Sequence, residues 1–162
     1  MEKFDPRRMG GETVRGQVGA LCYRIAPAGG VEVLLVTSRD TGRWIIPKGW
    51  PMPDRPAAAA ALREAFEEAG VEGDPGSDAV GIFTYPKRLG DGQTVTCLVS
   101  VYPIRVMRQR SRFPEAGERR REWLSPEAAA SRVQEPELAE LLRGFDPAAS
   151  EGTSHVRPTP GD

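Results

Sequence analysis

The 162-residue sequence predicts an α/β fold built on a mixed β-sheet, and three observations predict it. Apolar, β-branched runs recur on both sides of one alanine-rich segment in mid-chain. Some of those runs are joined by short turns and others by helix, so hairpins and helical connections share one sheet. Two short helix-like segments follow the last strand-like run.

Taken in order, Gln17 to Ile25 reads as a strand, Ala26 to Gly30 as a turn and Val31 to Ser38 as a second strand, together a hairpin. Trp44 to Ile46 is a short strand leading into the turn Pro47-Lys48-Gly49. Two prolines make Trp50 to Arg55 a loop. A helix is expected from Arg55 to Ala69, with Asp54 as N-cap and Pro56 in the first turn. The run Ala57 to Ala61 favours helix strongly and is small enough for close packing on a sheet. Leu62, Ala65, Phe66 and Ala69 supply the apolar stripe, and Gly70 stands where a C-terminal cap belongs. Residues 72–78 read as a Gly/Asp loop. Ala79 to Tyr85 and Thr94 to Val106 read as strands around a Gly90-Asp91-Gly92 turn, and Arg119 to Leu124 as a short strand. The closing helices are expected at Pro126 to Val133 and Pro136 to Leu142.

This organisation implies one domain over residues 14–145, a flexible arm at 1–13 and a disordered tail at 146–162. The only histidine, His155, lies in that tail and is given no catalytic role. A net charge of −1 argues against nucleic acid or an anionic membrane as partner, since neither is attracted by the chain as a whole. There is no apolar run of membrane-spanning length and no signal-peptide core, so a cytoplasmic protein is expected. Cys22 and Cys97 both sit in apolar strand segments. Buried free thiols are the default there, with a disulfide as the alternative.

The chemistry concentrates on the mid-chain helix. Glu64, Glu67 and Glu68 are three and four residues apart, which makes Glu64 a neighbour of both others at about 5–6 Å between Cβ atoms. Like charges at that spacing repel. The cluster is either a solvated helix face or a site for a hard divalent cation, which takes oxygen ligands.

The segment from Gly49 to Val71 resembles the Nudix box, G-x5-E-x7-R-E-U-x-E-E-x-G-U, where U is bulky and apolar. Gly49, Arg63, Glu64, Glu67, Glu68, Gly70 and Val71 stand at its fixed positions. Arg55 replaces its first Glu, with Asp54 one register away, and Ala65 is small for its first U. The resemblance implies an α/β/α sandwich around a mixed sheet and a Mg2+-dependent hydrolase of pyrophosphate bonds, with Mn2+ as an alternative ion. It assigns Glu64, Glu67 and Glu68 as metal ligands or base, and Arg63 as the group that orients a box carboxylate. It adds the Lys48 backbone carbonyl as a ligand. A further acid is expected before the last strand, from Glu115 or Glu118, and Glu118 is favoured.

Flanking segments such as Leu21-Cys22-Tyr23-Arg24, Arg43 to Pro47 and Arg119 to Trp123 resemble the branch that hydrolyses diphosphoinositol polyphosphates and diadenosine polyphosphates. A phosphorylated small molecule of that kind needs several cations. Arg24, Ser38, Arg39, Lys48, Gly49, Lys87, Arg88, Arg119 and Arg121 are the candidate substrate-binding residues. Trp50 and Tyr85 are available to stack on adenine, and Phe83 is a third ring that reads as core. Two alternatives remain: a nucleoside triphosphate or nucleotide-sugar pyrophosphohydrolase, and a non-catalytic nucleotide-binding module of the same fold, which Arg55 alone favours. The oligomeric state, monomer or homodimer, is left open.

Overall fold

The computed structural model describes residues 8–9 and 12–148. In chain order the elements are β1 (Arg8–Met9), β2 (Glu12–Ile25), β3 (Val31–Thr37), β4 (Trp44–Ile45), β5 (Lys48–Gly49), α1 (Ala57–Ala69), β6 (Val71–Pro75), β7 (Gly81–Arg88), β8 (Thr94–Gln109), β9 (Arg121–Leu124), α2 (Pro126–Arg132) and α3 (Pro136–Arg143). The two longest strands, β2 and β8, form the spine. They pair in parallel from Val14 opposite Thr96 to Tyr23 opposite Arg105. The other strand pairings are antiparallel, so the sheet is mixed as expected.

Strand side chains alternate between faces, and here both faces are covered. On one face Val18, Ala20, Cys22, Leu34, Val36 and Ile104 meet the alanines of α1. On the other, Leu21, Tyr23, Val33, Leu35, Phe83, Val99 and Val101 meet Ala129 and Ala130 of α2 and Leu138 and Leu142 of α3. The result is the three-layer α/β/α arrangement. Cys22 and Cys97 belong to opposite faces, and both thiols are free, which removes the disulfide alternative.

Several boundaries differ from the sequence reading. The helix begins at Ala57, not Arg55, and its N-cap is Pro56, with no side-chain cap from Asp54. The residue before a proline is pushed out of helical geometry, which keeps Arg55 in the preceding turn, its N–H on the Met52 carbonyl at 3.2 Å. The buried stripe of α1 is Ala60, Ala61, Ala65 and Ala69, whereas Leu62 and Phe66 are only half-buried. The expected loop at 72–78 instead opens as β6, paired with the far end of β8 through a register shift at Glu72/Gly73. A Cβ at Gly73 would run into the Arg105 carbonyl, so glycine permits this pairing. Part of the expected arm also pairs: Arg8 and Met9 lie opposite Thr13 and Glu12. β7 starts two residues later and ends three later than expected, and β8 runs three residues further. The short strand starts at Arg121, two residues late, and the closing helices match within one residue. Residues 149–162 of the expected tail, His155 included, lie outside the described residues.

Candidate active site

A cleft of about 260 Å³ opens where α1, the β3–β4 loop, β5 and the 110–120 loop converge. Its acidic wall comes from α1. The helix is held at its C-terminal end by Gly70, whose φ of 71° is left-handed and whose N–H reaches the Phe66 carbonyl at 2.9 Å. With that register set, Glu64 and Glu68 lie one turn apart and both line the cleft. Glu67 is turned about 100° from Glu68 around the helix axis. Its carboxylate leaves the cleft wall and takes a 2.8 Å hydrogen bond from Arg63 Nε, one turn back. The Arg63 guanidinium also lies over the Phe66 ring.

Glu68 is buried, at 6% exposure. Its Oε1 accepts from the Lys48 backbone N–H at 3.3 Å, and its Oε2 lies 3.5 Å from Arg119 Nη2. Burial raises its pKa to about 8, with the Arg119 charge opposing and the Glu64 charge adding to the rise. Glu64 is raised to about 7 by burial first and by the Glu67 charge second, while a hydrogen bond with Glu68 opposes the rise. The two carboxyls therefore crowd each other without a counter-charge sufficient to ionise both. Gly49 makes room for them: a Cβ there would overlap the Glu64 carboxylate.

Glu115 joins this wall. Its backbone N–H donates to the Glu67 carbonyl at 3.0 Å, which ties the 110–120 loop to α1. Arg119 Nε donates to Glu115 at 2.7 Å and Arg119 Nη1 to the Thr37 carbonyl at 2.9 Å, with the arginine side chain only 7% exposed. Arg119 is a brace among acids. Glu118, the acid favoured from the sequence, is exposed and pairs with Arg39 at 2.9 Å. Glu115, not Glu118, lines the cleft.

The opposite wall carries donors. Lys48 sends Nζ over the Tyr85 ring at 4.6 Å, and burial lowers its pKa, against the pull of Glu68. Lys87, Ser38 and Arg39 line the same cleft, and Trp50 stands in its lining 41% exposed. The Lys48 backbone N–H is its link to the acidic wall, through Glu68 Oε1.

Three of the expected binding residues, Arg24, Arg88 and Arg121, lie outside the cleft lining. Arg24 pairs with Glu32 at 2.8 Å and stacks on Trp123 at 4.0 Å. Arg121 donates to the Ala69 and Arg110 carbonyls, bracing the end of α1, and burial lowers its pKa. Arg88 is exposed at the end of β7, outside the cleft lining. Arg119, by contrast, lines the cleft from the loop that precedes β9. Arg55, at the place of the missing acid, lies 3.9 Å from Asp54 at the exposed helix entrance. Among the described residues no three acids stand close enough to hold an ion as they are placed.

Gln17 is a lining residue the sequence reading missed. Its signal was a polar amide at an inward position of an otherwise apolar strand, where Tyr85 Oη donates to its Oε1 at 2.7 Å.

A family model described as NUDIX domain matches residues 15–145. Nudix hydrolase 21, chloroplastic, of Arabidopsis thaliana is 33% identical over 138 residues, 81% of this chain and 66% of that protein. Nudix hydrolase 4 of the same plant is 33% identical over 71% of this chain and 54% of its own length. The chain thus spans between half and two thirds of these two relatives. Human diphosphoinositol polyphosphate phosphohydrolase 2 is 34% identical over 94% of this chain and 86% of its own. Among solved structures, a C. elegans Ap4A hydrolase in a binary complex superposes with a TM-score of 0.59 at 23% identity, covering 85% of this chain and 98% of that one. A MutT protein from Methanosarcina mazei gives 0.61 at 21% identity, covering 85% and 96%. At these identities the two structures share the fold.

Proposed function

Since the chain belongs to the Nudix hydrolase family, we propose that it cleaves a pyrophosphate bond in a phosphorylated small molecule with the help of a divalent cation, Mg2+ or Mn2+. One observation carries this reading: Glu64 and Glu68 converge on a cleft whose facing wall is cationic. The donor set is all oxygen, as a hard cation requires. The two crowded carboxyls have raised pKa values that a bound cation would reverse, and Gly49 leaves the space beside Glu64 clear. Glu64 and Glu68 would hold the cation, with Glu115 beside them, while Arg63 engages Glu67. A bound divalent ion supplies charge neutralisation for the phosphates and acidifies a water.

The chain's own residues do the rest. Arg119 holds Glu68 and Glu115 in place from behind. Lys48 and Lys87 set positive charge where phosphate oxygens would lie, with Arg39 at the rim held by Glu118. Glu64, the less buried of the pair, is either a ligand to the cation or, with Glu68 and Glu115 holding the ion, the group that takes a proton from the attacking water.

Diphosphoinositol polyphosphates are the first proposed substrates, because the human relative so named aligns over most of both chains. A dinucleoside polyphosphate is the second reading, favoured by Trp50, an exposed ring in the cleft lining on which a base can stack. The cytoplasm remains the proposed compartment, in keeping with two unpaired thiols. Among the described residues no helix is long and apolar enough to cross a membrane.

The test is product release from diphosphoinositol and diadenosine polyphosphates, with Mg2+, with Mn2+ and after chelation, in wild type and Glu68→Gln. Loss of at least about 100-fold in kcat is expected for the variant. Equal rates in both proteins reject the site, and ligand binding without turnover in wild type favours the non-catalytic module.

A further inference from the structure

Gln17 is 5% exposed on β2, on the face that packs against α2 and α3. Burying an amide in such a place is costly unless its polar atoms are satisfied. Half of it is satisfied by Tyr85, itself 6% exposed, whose hydroxyl donates to Gln17 Oε1 at 2.7 Å. The two residues flank β8 on opposite sides. Tyr85 lies opposite Cys97 and Gln17 opposite Val99, so the tyrosine reaches across the central strand. A phenol has one proton, and here it goes to the amide oxygen, so Tyr85 fixes which end of the Gln17 amide is Oε1.

What Gln17 then offers the cleft it lines is Nε2, a donor. Its neighbours on that wall, Lys48 and Lys87, are cationic. We propose that Gln17 is a substrate-binding residue whose amide, locked by Tyr85, donates to a non-bridging phosphate oxygen of the substrate. The lock matters because an unfixed amide presents its oxygen as readily as its nitrogen, and an oxygen there repels phosphate. This proposal deepens the hydrolase reading and rests on it for the identity of the substrate.

Gln17→Glu separates the two roles of the side chain. The isosteric carboxylate still accepts from Tyr85 and keeps the core filled, but it replaces the Nε2 donor by a charged acceptor. Tyr85→Phe does the reverse, leaving the amide and removing its lock. Two readouts are needed: KM and kcat on the substrates above, and calorimetric binding of methylenediphosphonate with Mg2+, a probe that cannot be hydrolysed. Loss of a charge-assisted hydrogen bond is expected to raise KM and the probe Kd for Gln17→Glu by about tenfold or more. Tyr85→Phe is expected to raise both by about two- to fivefold, with the effect on KM rather than kcat. Thermal melting checks that both variants are folded. A folded Gln17→Glu protein with wild-type probe affinity overturns the proposal and makes Gln17 a core filler. So does a wild type that turns over substrate yet shows no probe binding. A wild type that binds the probe and hydrolyses neither substrate defeats the hydrolase reading, and the probe affinities of the variants still decide the role of Gln17.

Discussion

The two walls of the cleft are built in different ways. The acidic wall comes from one helix, where a 3.6-residue repeat sets Glu64 and Glu68 side by side and sends Glu67 to Arg63. The donor wall is assembled from β2, β5, β7 and the β3–β4 loop, elements up to seventy residues apart in sequence. The first arrangement is a property of local geometry. The second depends on which strand pairs with which, and in what register.

That difference decides what was legible. The acid spacing and the Gly70 cap are local signals, and the structure contains both, whereas the residues read as a Pro47-Lys48-Gly49 turn instead enter β5, paired with β2. The mixed sheet was legible too, because hairpins and helices leave distinct periodicities. The β6 strand was not, since its Gly- and Asp-containing sequence has low strand propensity and only the exposed edge of β8 makes it pair. The cations were legible as charges but not as positions. Arg24 and Arg121 look no different in sequence from Lys48 and Lys87, yet one stacks on Trp123 and the other braces the end of α1. Glu115 and Glu118 look alike in sequence, and a backbone hydrogen bond to Glu67 decides which one reaches the cleft. Gln17 carries no charge, so its only mark in the sequence is an amide at an inward strand position, which does not by itself distinguish a cleft residue from a satisfied core polar group.

The largest effect that tests the contrast belongs to Arg119, the residue that joins the walls' supporting shells. Arg119→Ala leaves Glu68 and Glu115 facing each other with no cation behind them. Removing one partner of a buried ion pair costs about 3 kcal/mol. For a chain of this size that corresponds to a drop of about 6–12 °C in Tm. Scanning calorimetry or a dye-based melt measures it. A Tm within two degrees of wild type, with kcat retained, would make Arg119 a surface cation after all.

The next effect is a pH dependence confined to the acidic wall. Glu64 and Glu68 titrate near 4.5 when free, and in the fold they are raised to about 7 and about 8. The fold therefore favours their protonated forms. That contribution to stability is fully present below pH 4.5 and is lost as pH rises through the folded values. In EDTA, Tm should fall between about pH 5 and pH 9. Mg2+ reverses the preference by binding the ionised pair, so the stabilisation it confers should grow over the same range. Melts at matched ionic strength give the comparison, and Glu64→Gln should flatten the slope in EDTA. A Mg2+ increment that shrinks as pH rises contradicts this assignment of the acids.

The smallest effect tests the negative half of the contrast, the cations that strand register carries away from the cleft. Arg24 is 42% exposed at its side chain, where its links are Glu32 and the Trp123 ring. A surface ion pair contributes about 0–1 kcal/mol and an exposed cation–π contact about 0.5–1 kcal/mol. Arg24→Ala should thus lower Tm by a few degrees, about 2–4 °C per kcal/mol lost, and leave KM unchanged for either substrate. The same substitution at a phosphate ligand gives the opposite pattern, a higher KM with an unaltered melt. A several-fold rise in KM for Arg24→Ala would bring the far end of β2 into the substrate's reach, and the donor wall would then extend along the strand from Gln17 rather than end there.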